Sequence, residues 1–210
     1  MKRGINTCSY AAHCDGTDPQ NSMPKQPAHL SEAFRLYKAN SPFEDQLCFT
    51  DHVNKCLALG SPLSPPFKKQ VEELNRLILC APLQSTRTLF RATLDSYVTP
   101  FINGNKLIYP AFMSTSDDEA SIKRHFSTPF RNLDGALLII ECQAGAHALD
   151  METDTSFGGH EREFLLPCGA EFEIINIEQI ADKSLMAEYM TGLYANNYSS
   201  LKVYSLRHLK

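Results

Sequence analysis

The chain has 210 residues, of which 43% are hydrophobic, enough for one domain with a substantial buried core and too few for two full ones. That composition excludes general disorder. A formal charge of -4 supplies no field able to hold a polyanion by counterion release, so nucleic acid is not expected as a partner.

Residues 1–29 are rich in Pro, Asn, Asp and Ser and carry few regularly spaced apolar side chains, the composition of a disordered leader ahead of one domain over 30–210. No basic start followed by an apolar stretch lies near Met1, so an ordinary secretory signal is not expected. From Ser31 the periodicity becomes helical: Ala33, Phe34 and Tyr37 follow the three-and-four spacing, and Asp51 to Leu59 repeats it before Gly60. Phe67 to Leu79 is the clearest helix, with Val71, Leu74, Leu77 and Ile78 on one stripe. Beyond Pro82 the pattern predicts strands at Thr88 to Thr93 and at Lys106 to Met113, the second behind the Asn103-Gly104-Asn105 turn. Ser116 and Glu119 read as a capping box that starts a short helix ending near Phe126. Strands are predicted again at Ala136 to Cys142, Glu161 to Leu166, Glu171 to Ile177 and Ser200 to Leu206. The longest strongly apolar run, Gly135 to Ile140, is far too short to span a bilayer, so no membrane is expected. Helices first and a mostly antiparallel sheet afterwards make an α+β fold. The seven cysteines form no C-x-x-C pair or zinc-ligand pattern and read as reduced side chains in a cytosolic setting, so no metal is expected.

Three segments carry candidate chemistry. Arg91 stands alone in the apolar strand Thr88-Leu89-Phe90-Arg91-Ala92; its planar fork suits a carboxylate or a phosphate, and by itself the plainer reading is a strand-edge pair with a surface Glu. Ser114, Thr115 and Ser116 end a strand. Capping accounts for Ser116 alone, which leaves Ser114 and Thr115 to explain, and a serine there could orient a neighbouring carboxylate. Glu161 and Glu163 flank Arg162, and in an extended strand they share one face about 7 Å apart. Alone they read as an exposed polar strand end. A cation developing at a sugar carbon would reverse that preference, because paired carboxylates stabilise such a charge and activate the attacking group.

In this order and in these strand contexts, the segments resemble the R-S-E class of mono-ADP-ribosyltransferases, which includes the cholera-toxin-like and arginine-specific bacterial toxins and effectors and the vertebrate ecto-enzymes. The resemblance covers 85–180 and includes the block Ser156-Phe157-Gly158-Gly159-His160-Glu161-Arg162-Glu163-Phe164-Leu165-Leu166-Pro167. It implies a split, mostly antiparallel sheet around an NAD cleft, with an N-terminal helical layer and NAD as co-substrate. It implies that Arg91 binds the pyrophosphate side of NAD, and that Ser114, with Thr115 beside it, holds Glu163 in place. Glu163 accepts the 2′-hydroxyl of the nicotinamide ribose and offsets the charge left as nicotinamide departs. Glu161 engages and deprotonates the acceptor, and a glutamate there goes with arginine as that acceptor. Phe126 corresponds to the aromatic near the nicotinamide ring, and Phe157 to the exposed aromatic of the loop that contacts the protein substrate. Many members carry Gly after the strand Arg; here it is Ala92, whose backbone N–H and C=O can hold the nicotinamide amide equally.

The function implied is transfer of ADP-ribose from NAD to a target protein, in the manner of a virulence effector or toxin delivered into a host cytoplasm. An NAD glycohydrolase, with water in place of the acceptor, shares the first step. A non-catalytic binding module on the same scaffold ranks last, since the three defining residues are all present.

Overall fold

The computed structural model describes residues 31–126, 131–152 and 162–209. The predicted leader, the Thr155 to His160 loop with Phe157, and Glu161 lie outside the described residues.

The helical layer comprises α1 (Glu32–Lys38), α2 (Phe49–Leu59) and α3 (Pro65–Leu79). Proline at the first position of α3 costs nothing, because that N–H has no helical acceptor. Gly60 ends α2 at φ 63°, the left-handed conformation that a Cβ disfavours. The predicted stripe on α3 is buried throughout, with Val71, Leu74 and Ile78 at 1% exposure or less. Each such side chain contributes roughly 2 kcal/mol by leaving water.

The strands are β1 (Arg87–Leu94), β2 (Ile102–Asn103), β3 (Lys106–Tyr109), β4 (Met113–Ser116), β5 (Leu133–Cys142), β6 (Leu149–Asp150), β7 (Glu163–Leu166), β8 (Ala170–Ile180) and β9 (Tyr198–Leu209). Short helices α4 (Glu119–Ile122), α5 (Lys183–Tyr189) and α6 (Gly192–Ala195) fill the connections. Sheet order is β2-β3-β8-β9-β5-β1-β4-β7-β6, antiparallel except where β5 meets β9. The predicted α+β class therefore holds.

The sheet is split. β1 pairs with β5 along its whole length, yet touches β4 at the single pair Phe90 and Ser116. Beyond that point β1 and β4 diverge and leave a gap lined by both backbones. The single strand predicted over Lys106 to Met113 is in fact β3 and β4, each in a different half of the sheet: β3 pairs with β8 and β4 with β7. Pro110 separates them, since it has no N–H to give a ladder. The capping box also gives way. Asp118 caps α4 through a bond from the Ala120 amide, while Ser116 Oγ accepts from the Asp118 amide one turn too early to cap the helix.

Packing decides what faces the gap. The helical layer buries Phe34, Tyr37, Leu74 and Ile78 together with Phe112, Leu149 and Leu165, so α1 lies over β6 and β7. Side chains on a strand alternate, and Glu163 therefore shares the helix-facing side of β7 with Leu165. Opposite faces of β1, β5 and β9 carry separate cores: Leu89, Met113, Phe164 and Tyr204 belong to one, and Phe126, Met186, Tyr198 and Leu201 to the other.

Candidate active site

Strand β4 sorts its hydroxyls by alternation. Thr115 turns inward and donates to the Phe164 carbonyl at 2.7 Å, fixing β4 against β7. Ser114, facing the gap, donates to Glu163 Oε1 at 2.6 Å. Its own carbonyl accepts Arg91 Nη1 at 2.7 Å. Ser114 thus ties the guanidinium to the carboxylate, with three strands contributing one residue each.

The plainer reading of Arg91, a pair with a surface Glu, does not hold: among the described residues it makes no ion pair. Its Cζ stands 5.8 Å from the Tyr109 ring centroid, and its Nε is buried with no hydrogen-bond partner. A buried donor left unsatisfied costs about 1–3 kcal/mol, so the position favours an anionic or carbonyl acceptor from outside the chain. The cleft beside it is lined by Arg91, Ala92, Ser114, Thr115, Ser116, Ile122, His125 and Glu163. Arg91, Ala92, Ser114, Thr115 and Glu163 are therefore brought together as the sequence suggested.

Phe126 is not with them. It is 1% exposed and packs edge-on against Tyr198 at 5.7 Å, with the Tyr198 hydroxyl donating to its carbonyl. An aromatic ring ending a helical turn beside an apolar sheet gains more by burial than at the cleft, and His125 takes the cleft position instead.

The spacing argument for Glu161 and Glu163 also needs correcting. Arg162 sits at φ 50°, left-handed, and β7 begins only at Glu163. Strand alternation therefore does not reach back through Arg162, and the shared face inferred for the two glutamates loses its basis. The conformation of Arg162 is held from outside: its Nε lies 2.6 Å from Asp117 Oδ1, and the Asp117 amide donates to the Arg162 carbonyl at 3.2 Å. Asp117 also pairs with Arg87 on β1. One carboxylate with an 8% exposed side chain thus staples β1, the end of β4 and the start of β7 beside the cleft.

Sequence reasoning missed Asp117, His125 and Lys38. Lys38, the last residue of α1, places Nζ 2.6 Å from Glu163 Oε2 and 3.6 Å from Glu152 Oε1. Its neighbour Tyr37 accepts from Asn54 Nδ2 at 3.1 Å, and burial keeps its phenol protonated far above neutral pH, although the charge of Arg91 opposes that shift. Tyr37 is therefore no base. No local signal marks Lys38, which is 125 residues from its partner.

The cleft offers a guanidinium with a free donor, backbone groups of Ala92, and a carboxylate held at both oxygens. This set can bind an anionic group at one end and offset a positive charge forming at the other.

No protein-family model and no curated protein matches the sequence. Solved structures do match the fold. The chain is similar to Plx2a, an ADP-ribosyltransferase toxin from Paenibacillus larvae, at a TM-score of 0.57 and 18% identity over 87% of this chain and 88% of that one. It is similar to the ATR domain of Salmonella SpvB at a TM-score of 0.52 and 19% identity, over 86% of this chain and 100% of that domain. BECa, an ADP-ribosylating toxin of a binary enterotoxin of C. perfringens solved with NADH, matches at a TM-score of 0.52 and 10% identity, over 82% of this chain and 45% of its own. The architecture is thus that of ADP-ribosyltransferase toxins.

Proposed function

We propose that the chain is a mono-ADP-ribosyltransferase that cleaves NAD in the β1/β4 cleft and passes ADP-ribose to a side chain of a target protein. The observation that carries this reading is the Ser114 bridge, which gives its hydroxyl to Glu163 and its carbonyl to Arg91 within hydrogen-bond distance of each.

The residues present fit a dinucleotide. The unpartnered Nε of Arg91 suits a phosphate oxygen, and Ala92 can offer its backbone to the nicotinamide amide. Nicotinamide leaves by breaking its bond to the ribose, and the bonding electrons go with it, so positive charge gathers on the sugar carbon. Glu163 stands ready to accept the ribose 2′-hydroxyl and to offset that charge, held in place by Ser114. An acceptor nucleophile then bonds to the same carbon and gives up its proton. We assign that proton to Glu161, and arginine as the acceptor follows from a glutamate at that position. His125 lines the cleft where Phe126 does not, and in this reading it is the ring that would stand beside the nicotinamide. Phe157 contacts the target protein in this reading, and residues 30–210 are the catalytic domain. A target in a host cell, reached as a toxin or effector, agrees with the company this fold keeps among solved toxins.

The test is incubation with labelled NAD and a cell extract, comparing wild type with Glu163→Gln. A discrete labelled protein that disappears in the variant supports transfer, and release of free ADP-ribose with no labelled protein favours hydrolysis. Equal labelling by both would remove Glu163 from the reaction.

A further inference from the structure

Both oxygens of Glu163 already have donors, Ser114 on Oε1 and Lys38 on Oε2, each at 2.6 Å. Lys38 comes from the helical layer, not the sheet. Its side chain is 9% exposed and that of Glu163 14%, so the pair is partly shielded from competing water. Among the described residues the ammonium faces a second carboxylate as well, since Glu152 Oε1 lies 3.6 Å away. Glu152 in turn accepts weakly from the Glu163 amide at 3.5 Å, tying the same carboxylate to the strand it serves. Among the described residues, the other titratable groups around Glu163 are Arg91 of β1 and His125 across the cleft, with Tyr37 on α1 close enough to feel its charge.

The reach of Lys38 follows from the packing of α1. Ala33, Phe34 and Tyr37 are buried against the side of β7 that carries Leu165 and Glu163, and the helix ends one residue after Tyr37. A side chain at that last position has the β7 carboxylate directly before it. Each carboxylate oxygen can accept two hydrogen bonds, so a sugar hydroxyl can join Lys38 on Oε2 without displacing it.

We propose that Lys38 is a positioning residue for the transfer reaction: through Oε2 it holds Glu163 correctly aimed in the cleft, and Glu152 keeps the ammonium in reach. The inference rests on the transferase reading above. Removing the ammonium leaves Glu163 held at one oxygen only, by Ser114.

The experiment compares Lys38→Met and Lys38→Arg with wild type in NAD cleavage at neutral pH. Lys38→Met is expected to lower kcat about tenfold with KM nearly unchanged. Lys38→Arg, which keeps a cation before Oε2, is expected to restore most of kcat. A Lys38→Met variant with the kcat of wild type would overturn the proposal while leaving the transferase reading intact. If wild type itself fails to cleave NAD, the transferase reading falls. The pair is then decided by the side-chain ammonium NMR resonance of Lys38, read in wild type and in Glu163→Gln: a changed resonance supports it and an unchanged one overturns it.

Discussion

Ser114 and Glu163 meet at 2.6 Å across 49 residues of sequence, and the same serine gives its carbonyl to Arg91. Only the hydroxyl depends on the side chain. Ser114→Ala therefore keeps the Arg91 bond and frees Glu163 Oε1. Stability should fall by no more than about 1 kcal/mol, because Glu163 is partly exposed and retains Lys38. NAD cleavage should fall roughly 100-fold, mainly in kcat, since a misaimed carboxylate hurts the transition state more than binding. Steady-state kinetics beside a denaturation curve would check both; a large loss of stability with intact kcat would contradict this account.

Arg91 uses one nitrogen for Ser114 and leaves Nε buried without a partner. A lysine retains the charge but has a single nitrogen in place of the planar fork, so it cannot serve both the Nη1 and the Nε positions. Arg91→Lys is expected to weaken NAD binding about tenfold or more, read by equilibrium dialysis, while the fold persists. Undiminished affinity would show that the guanidinium faces no part of the dinucleotide.

Arg162 stands at φ 50°, a conformation that costs a β-branched residue far more than glycine. Arg162→Val and Arg162→Gly both lose the pair with Asp117, so their difference isolates the backbone. The valine variant should be less stable by about 1–3 kcal/mol in chemical denaturation. Equal midpoints would mean that the chain at 162 relaxes to an extended conformation.

What could be read in the sequence divides along sequence distance. The stripe of Val71, Leu74, Leu77 and Ile78 needs only its own helix to show itself, and all four are buried as predicted. Arg91, Ser114 and Glu163 sit on short strands whose order was readable, and the structure gathers them at one cleft. Lys38 was hidden because its partner is brought by tertiary packing of α1 on β7, which no periodicity encodes. Phe126 and His125 are neighbours, and only the competition of Tyr198 for the phenyl ring decides which of them turns to the cleft. Strand alternation does not extend from Glu163 back through Arg162 for a similar reason: Asp117, distant in sequence, holds Arg162 out of the extended region. The split between β3 and β4 was visible in Pro110, whose missing N–H forbids the single strand expected there.

The final expectation concerns pH and lies away from the cleft. His208 of β9 is 7% exposed, tilted against the Phe172 ring at 5.3 Å. Burial, and secondarily the nearness of His147, lowers its pKa to about 4, while burial lowers that of His147 as well. Both rings are therefore neutral in the folded state at pH values where an unfolded chain would begin to protonate them. A depressed histidine contributes stability that is fully present above the unfolded value near 6.5 and lost as pH falls toward about 4, because the unfolded state then binds the proton first. For His208 the full loss amounts to about 3 kcal/mol. Denaturation midpoints taken from neutral to mildly acid pH should thus decline over that window. In His208→Leu, which fills the same apolar surroundings without a titrating ring, the decline should be shallower. A variant that loses stability with pH as steeply as wild type would place the acid sensitivity elsewhere in the fold.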